Sequence, residues 1–157
     1  MLLLKHVDLS TRAYRKPSTC YPMPFPKLIL SYLLTFAVFF AIDMAWLGFI
    51  AKDLYRKYLS DFLSDQVNWP AAFIFYFLFI IGVFIFAILP AVEKDSVRTA
   101  MLLGGLFGFF TYATYDLTNL ATLKNWPVFI VLIDVVWGFL LTGIVSTAGF
   151  YIVKWIR

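Results

Sequence analysis

Four apolar runs, each long enough to cross a bilayer and separated by short charged segments, constrain this chain more than any other feature. They cover about Leu28 to Ile50, Pro70 to Val92, Thr99 to Leu120 and Val128 to Val153. A helix of about 20 apolar residues spans about 30 Å of hydrocarbon, so each run qualifies. No soluble core of 157 residues could hide them, because 62% of the positions are hydrophobic and 14% charged. Most charges gather in the short segments between the runs, a pattern of helices and not of a barrel. The expected fold is all-α: a polytopic membrane protein in which residues 28–157 form a single four-transmembrane-helix bundle.

Residues 1–27 read as a basic arm, with five of the 13 basic residues and Pro17, Pro22, Pro24 and Pro26 interrupting any continuous helix. The opening Met-Leu-Leu-Leu is too short for a secretory apolar region and no small-residue cleavage site follows, so no signal peptide is expected. Between the first two runs, Ala51 to Trp69 places Leu54, Tyr58, Leu59, Phe62 and Leu63 on one helical face, with Lys52, Arg56, Ser60, Asp61 and Asp65 elsewhere. That spacing predicts an amphipathic helix in the membrane interface. The second run is charge-free and reads as a wall of the bundle. The brief turn from Glu93 to Arg98 forces the third run antiparallel to it. Counted over four spans, nine Lys and Arg fall on the side of both termini and four on the other. The positive-inside rule then puts both termini in the cytoplasm, with the bundle in the cell inner membrane.

Three carboxylates interrupt the runs: Asp43, Asp116 and Asp134. Each costs about 2.5 to 3.5 kcal/mol at the centre of a spanning helix, so such a residue normally faces protein or a wet cavity and has a partner or a task. Helical spacing gathers Gly104, Gly108, Tyr112, Tyr115, Asp116 and Asn119 on one face of the third run, with Leu103, Leu106, Phe110 and Leu117 opposite. The fourth run carries Asp134, Gly138, Thr142, Ser146 and Gly149 along one stripe, with Trp137 at its edge. Gly104, Gly108 and Gly138 are expected to serve helix packing. Alternating helix directions put all three acids in the outer half of the membrane. The strings Ile42-Asp-Met-Ala-Trp46 and Ile133-Asp-Val-Val-Trp137 each set an indole three residues after an Asp, on the same helix side, where it could cap its own carboxylate or line a pocket with it. The expected ligand- or proton-binding set is Asp43, Trp46, Tyr112, Tyr115, Asp116, Asn119, Asp134 and Trp137. The plainer alternative is that the acids hydrogen-bond to Tyr112, Tyr115, Thr118, Asn119 or tryptophan and only fix the packing. Trp69, Trp126 and Trp155 read as interfacial anchors.

The net charge of +4 does not signal nucleic acid, because the basic residues flank the membrane runs. Cys20 and His6 are single, so no thiolate or imidazole metal cluster can be built from one chain, and neither metal nor cofactor is expected. The expected partners are membrane lipids and, since four short spans make a thin bundle, a second copy in a homo-oligomer through the glycine faces.

Tyr115-Asp-Leu-Thr-Asn-Leu-Ala-Thr-Leu-Lys-Asn-Trp126, followed by Asp134-Val-Val-Trp-Gly138, closely resembles the bacterial integral membrane family called domain of unknown function 2177. Asp43-Met-Ala-Trp-Leu47, Phe75-Tyr76 and Gly82 fit the same pattern, and the resemblance covers about Leu28 to Val153. It implies an integral membrane protein and no particular reaction. Three functions remain open: binding or transport of a small cation, a proton or a polar lipid group at the Asp cluster; an integral membrane enzyme of lipid modification using paired carboxylates; and a structural or accessory membrane subunit.

Overall fold

The computed structural model describes residues 23–64 and 66–157. Most of the expected basic arm, including His6 and Cys20, lies outside the described residues, as does Asp65. Among the described residues all regular structure is helical. The elements are α1 (Phe25–Ala45), a π-helical turn (Trp46–Ile50), α2 (Lys52–Leu59), α3 (Trp69–Val83), a second π-helical turn (Phe84–Ile88), α4 (Leu89–Glu93), α5 (Val97–Thr122) and α6 (Val128–Ile156).

Among the described residues, three helical stretches are long and apolar enough to cross a membrane: Phe25–Ile50, Trp69–Glu93 and Val128–Ile156. α5 is 26 residues long but is not among them. Arg98, Asp116, Asn119 and its threonines and tyrosines dilute its apolar character. The expectation of four spans is thus met in three, with a fourth long helix packed alongside.

Helix starts follow local chemistry. α1 begins at Phe25, inside the segment expected to be arm, because Pro24 caps it and Pro26 occupies its first turn, where a missing N–H costs nothing. Asn68 Oδ1 accepts from Ala71 N at 3.2 Å to cap α3, and Ser96 Oγ accepts from Thr99 N at 3.3 Å to cap α5. Each π turn is closed by a bond across five residues: Ala51 N to Trp46 O at 2.8 Å in the first, Leu89 N to Phe84 O in the second. The second turn directly precedes Pro90, whose ring and missing N–H would break a regular α-helix, and lets the helix run on to Glu93.

The interfacial helix is shorter than its pattern suggests. α2 stops at Leu59 after eight residues, and Phe62 N and Leu63 N both turn back to Leu59 O, at 2.9 and 3.0 Å. Ser64 Oγ then accepts from Gln66 N at 3.3 Å. Hydroxyl and amide side chains over 60–68 compete for backbone partners and favour turns.

The long helices alternate in direction. Asp43, late in α1, meets Tyr76, early in α3, and Trp137, early in α6. At the opposite end Lys27 Nζ donates to Arg157 O at 3.1 Å, and Lys154 pairs with Asp95 at 2.6 Å. That pair is exposed on both sides and contributes about 0–1 kcal/mol. Between the ends, Phe39, Ile80, Val83, Ile88, Leu141 and Val145 form a fully buried core. The outer surface is apolar, with Leu33, Phe77, Phe86, Leu102, Phe110 and Leu140 exposed, as suits a protein whose solvent is lipid.

The most extensive helix pairing is α5 with α6, joined through a turn at Asn125, whose φ of 60° lies in the left-handed region that asparagine tolerates. A Cβ on Gly108 would come within 2.0 Å of the Gly138 carbonyl oxygen, and one on Gly104 within 2.1 Å of Ser146 Oγ. Gly104 and Gly108 are therefore occupied by α6 of the same chain. Gly108→Ala should lower stability by about 1–3 kcal/mol, because the obstacle is backbone and cannot move aside. Gly48→Ala, where a Cβ meets nothing within 4 Å, should stay within about 0.5 kcal/mol. Unfolding curves of both variants in a mild detergent check this, and equal midpoints would refute the close contact.

Candidate functional site

The end of the bundle that carries α2 encloses a cavity of about 450 Å³. Its wall is aromatic: Trp46, Tyr55, Phe75, Tyr76, Phe79, Tyr112, Tyr115, Trp126 and Trp137 line it, with Leu47, Leu59, Leu63 and Thr111. Its acidic groups are Asp43 and Asp134, 5% and 8% exposed. No lining residue is basic.

Each of these carboxylates is held by groups from other elements. Tyr76 Oη on α3 donates to Asp43 Oδ2 at 2.8 Å, and Trp137 Nε1 on α6 donates to Asp43 Oδ1 at 3.4 Å. Tyr55 Oη on α2 donates to Asp134 Oδ1 and accepts from Trp46 Nε1 at 3.3 Å. The indoles of Trp46 and Trp137 stack face to face, with centroids 4.1 Å apart and planes 10° from parallel. The two Asp-x-x-Trp strings thus cross over. Trp137 serves the carboxylate of α1, and Trp46 reaches that of α6 through Tyr55, so neither indole caps its own Asp. The π turn beginning at Trp46 interrupts regular helical register where α1 hands over to α2, and the wholly buried Ala51 ends it.

Asp43 and Asp134 come together, and Trp46, Tyr112, Tyr115 and Trp137 join them as lining groups. Tyr112 owes its place to Gly138, since a Cβ there would come within 2.4 Å of the Tyr112 ring. Tyr115 stands 60% exposed at the mouth. Asp116 and Asn119 do not line the cavity, contrary to the three-acid expectation. Asp116 is 0% exposed and has the Trp126 indole as its polar neighbour. It sits four residues beyond Tyr112, where α5 has carried the face past the cavity toward the α5–α6 loop.

Trp126 is a second correction. It is 7% exposed and packs edge-on against Phe62 at 5.1 Å, beside Leu59 and Ile130, so it is a buried wall of the cavity and not an interfacial anchor. Trp69 and Trp155 are exposed. Neither of the two tyrosines that hold the acids was in the expected site set, although Tyr76 belongs to the Phe75-Tyr76 pair that fits the family pattern. Tyr76 was legible in principle as the single polar side chain in a charge-free run. Tyr55 shares a helical stripe with Ala51 and Leu59, both buried, a weaker signal hidden by the charges around it.

The family model described as "Predicted membrane protein (DUF2177)" matches residues 28–151, which include every residue of the cavity. The chain belongs to this family. No curated protein and no solved structure matches it.

Burial, reinforced by its hydrogen bond to the Asp134 carboxylate, raises the Tyr55 phenol above its ordinary value of 10.0. Below that value folded and unfolded chains both keep the proton and the contribution of Tyr55 is constant. Above it the unfolded chain loses its proton first, and the stabilisation declines as pH rises toward the folded value. Tyr55→Phe should cost about 1–3 kcal/mol at neutral pH, since Asp134 loses its phenol donor. Between about pH 9 and 11 the wild type should lose more stability than the variant. Thermal midpoints across this range test both statements, and parallel curves would show that the phenol is not held.

Proposed function

We propose that this protein is a four-span inner-membrane binding protein, with both termini cytoplasmic, which takes up a small molecule or lipid group bearing a cationic or hydrogen-bond-donating centre between Asp43 and Asp134. The observation that carries the reading is the opposition of two buried carboxylates, from helices at opposite ends of the chain, in one aromatic cavity without a basic residue. Ionisable groups inside a membrane domain pair with one another or mark a ligand or ion path. Here the partners are neutral phenols and indoles, which orient the carboxylates without neutralising them.

The fourth span in this reading is α5. It supports that role by packing along α6, exposing Met101, Leu102, Leu106, Phe110 and Leu117 on its outer side, and burying Gly104, Gly105, Gly108 and Asp116 on its inner side. A helix can cross a bilayer with modest overall hydropathy when its polar residues face protein. In the sequence, the excess of Lys and Arg on the side of both termini supports cytoplasmic termini and, with alternating helices, a cavity in the outer half of the bilayer.

Native mass spectrometry of the protein released from a mild detergent tests the binding role. A bound species should accompany the wild type and Asp116→Asn, whose carboxyl lies outside the lining, and should be lost from Asp43→Asn and Asp134→Asn. Identical, empty spectra from all four folded proteins would overturn it.

A further inference from the structure

The geometry points to an organic ammonium with an apolar tail as the occupant of the cavity between Asp43 and Asp134, an inference that rests on the binding role proposed above. Charge is the first argument. Two carboxylates line the space, and no Lys, Arg or His lines it with them. An anionic head group would be repelled by both acids once they ionise, and a neutral one would leave them to be neutralised by protons, whereas a cation stabilises the ionised pair directly. A cation supplies what the wall lacks.

The character of the wall decides which cation. A divalent metal ion seeks six to eight oxygen ligands, and among the described residues no group of three His, Cys, Asp or Glu could hold one. Both oxygens of Asp43 and one of Asp134 are already engaged by phenol and indole donors. Aromatic faces, by contrast, suit an alkylated ammonium, whose weakly hydrated charge is attracted by ring quadrupoles. Trp46, Trp137, Tyr76, Tyr112 and Phe79 surround the acids, with the stacked indoles between the two aspartate networks. The volume of about 450 Å³ falls in the range of small-molecule sites, far beyond what a proton or bare ion needs.

The mouth supplies the tail. Leu63, Phe75 and Tyr115 line the cavity and are 50%, 49% and 60% exposed, so its rim is apolar and continuous with the apolar outer surface. A hydrocarbon chain attached to the ammonium can leave along this rim into lipid. The ammonium can be a lipid head group or a free amphiphilic amine, since both present the same chemistry to the wall.

Isothermal titration of the detergent-solubilised protein in a nonionic maltoside tests the class, with hexyltrimethylammonium, hexanol and hexanoate as probes and protein-free micelles as blank. Hexyltrimethylammonium should bind at least about tenfold more tightly than the other two and lose about tenfold or more in Asp43→Asn and Asp134→Asn. Asp116→Asn should bind like the wild type, and unfolding midpoints show which variants are folded. Should one aspartate variant fail to fold, Trp137→Leu takes its place and should weaken the ammonium about five- to tenfold while leaving hexanol unchanged. A second arm incubates the protein with phosphatidylethanolamine, phosphatidylcholine or phosphatidylglycerol before native mass spectrometry. Selective retention of the two ammonium-bearing lipids supports a head group as the source; ammonium binding in the titration without lipid retention supports a free amphiphilic amine. Hexanol or hexanoate binding as tightly as the ammonium, or ammonium binding untouched by the aspartate variants, overturns the inference. A non-cationic species that is lost from the aspartate variants would remove the ammonium and leave the binding role intact, whereas empty spectra together with no titration heat would remove both.

Discussion

A carboxylate inside an apolar bundle must find hydrogen-bond donors, and the donors that Asp43 and Asp134 find come from helices other than their own: α2, α3 and α6. Asp43 on α1 draws in Tyr76 from α3 and Trp137 from α6, and Asp134 on α6 draws in Tyr55 from α2. Each such bond to a charged group is worth about 1.5–3 kcal/mol, and the loss of one partner strands a buried charge, so the network specifies which helices meet and at what height. The stacked indoles tie its two halves together. The same arrangement keeps the acids beside a cavity, where hydrogen bonds orient them and no positive charge satisfies them.

That network depends on a second constraint some distance away. Gly108 and Gly138 let α5 and α6 approach until backbone meets backbone, and the space above Gly138 is taken by the Tyr112 ring, which lines the cavity. The contact that closes the bundle thus also sets one wall of the site. The two π turns adjust register at either end. One carries α1 past Trp46 into α2, and the other lets the helix that supplies Tyr76 continue through Pro90. Each is a local departure from α-helical hydrogen bonding that the neighbouring packing sustains.

Much of this was legible in advance, for particular reasons. The placement of Asp43 and Asp134 at one end of the bundle followed from alternating helix directions, because an apolar run admits few ways of turning back. The buried stripe of Asp134, Gly138, Thr142 and Ser146 followed from a period of four along one helix. The position of Asp116 did not follow: Tyr112, Tyr115 and Asp116 share a face within a third of a turn, yet the cavity takes the first two and not the third. Trp126 was misplaced because an aromatic residue next to a membrane end fits an interfacial anchor and a buried plug equally well. Its burial comes from Phe62 and Leu59, more than sixty residues earlier in the chain.

By itself the sequence determined the class of the protein, its long helices, their alternating order and the unusual presence of carboxylates within them, because hydrophobicity and helical period act over neighbouring residues. Only the tertiary structure decided which donors the carboxylates meet, that each indole serves the opposite helix, that α2 ends at Leu59 with Tyr55 turned toward Asp134, and that Gly104 and Gly108 are occupied by α6 of the same chain. These depend on the rotation and height of one helix against another. Those two quantities are set by the summed fit of side chains far apart in sequence, and no local pattern encodes them.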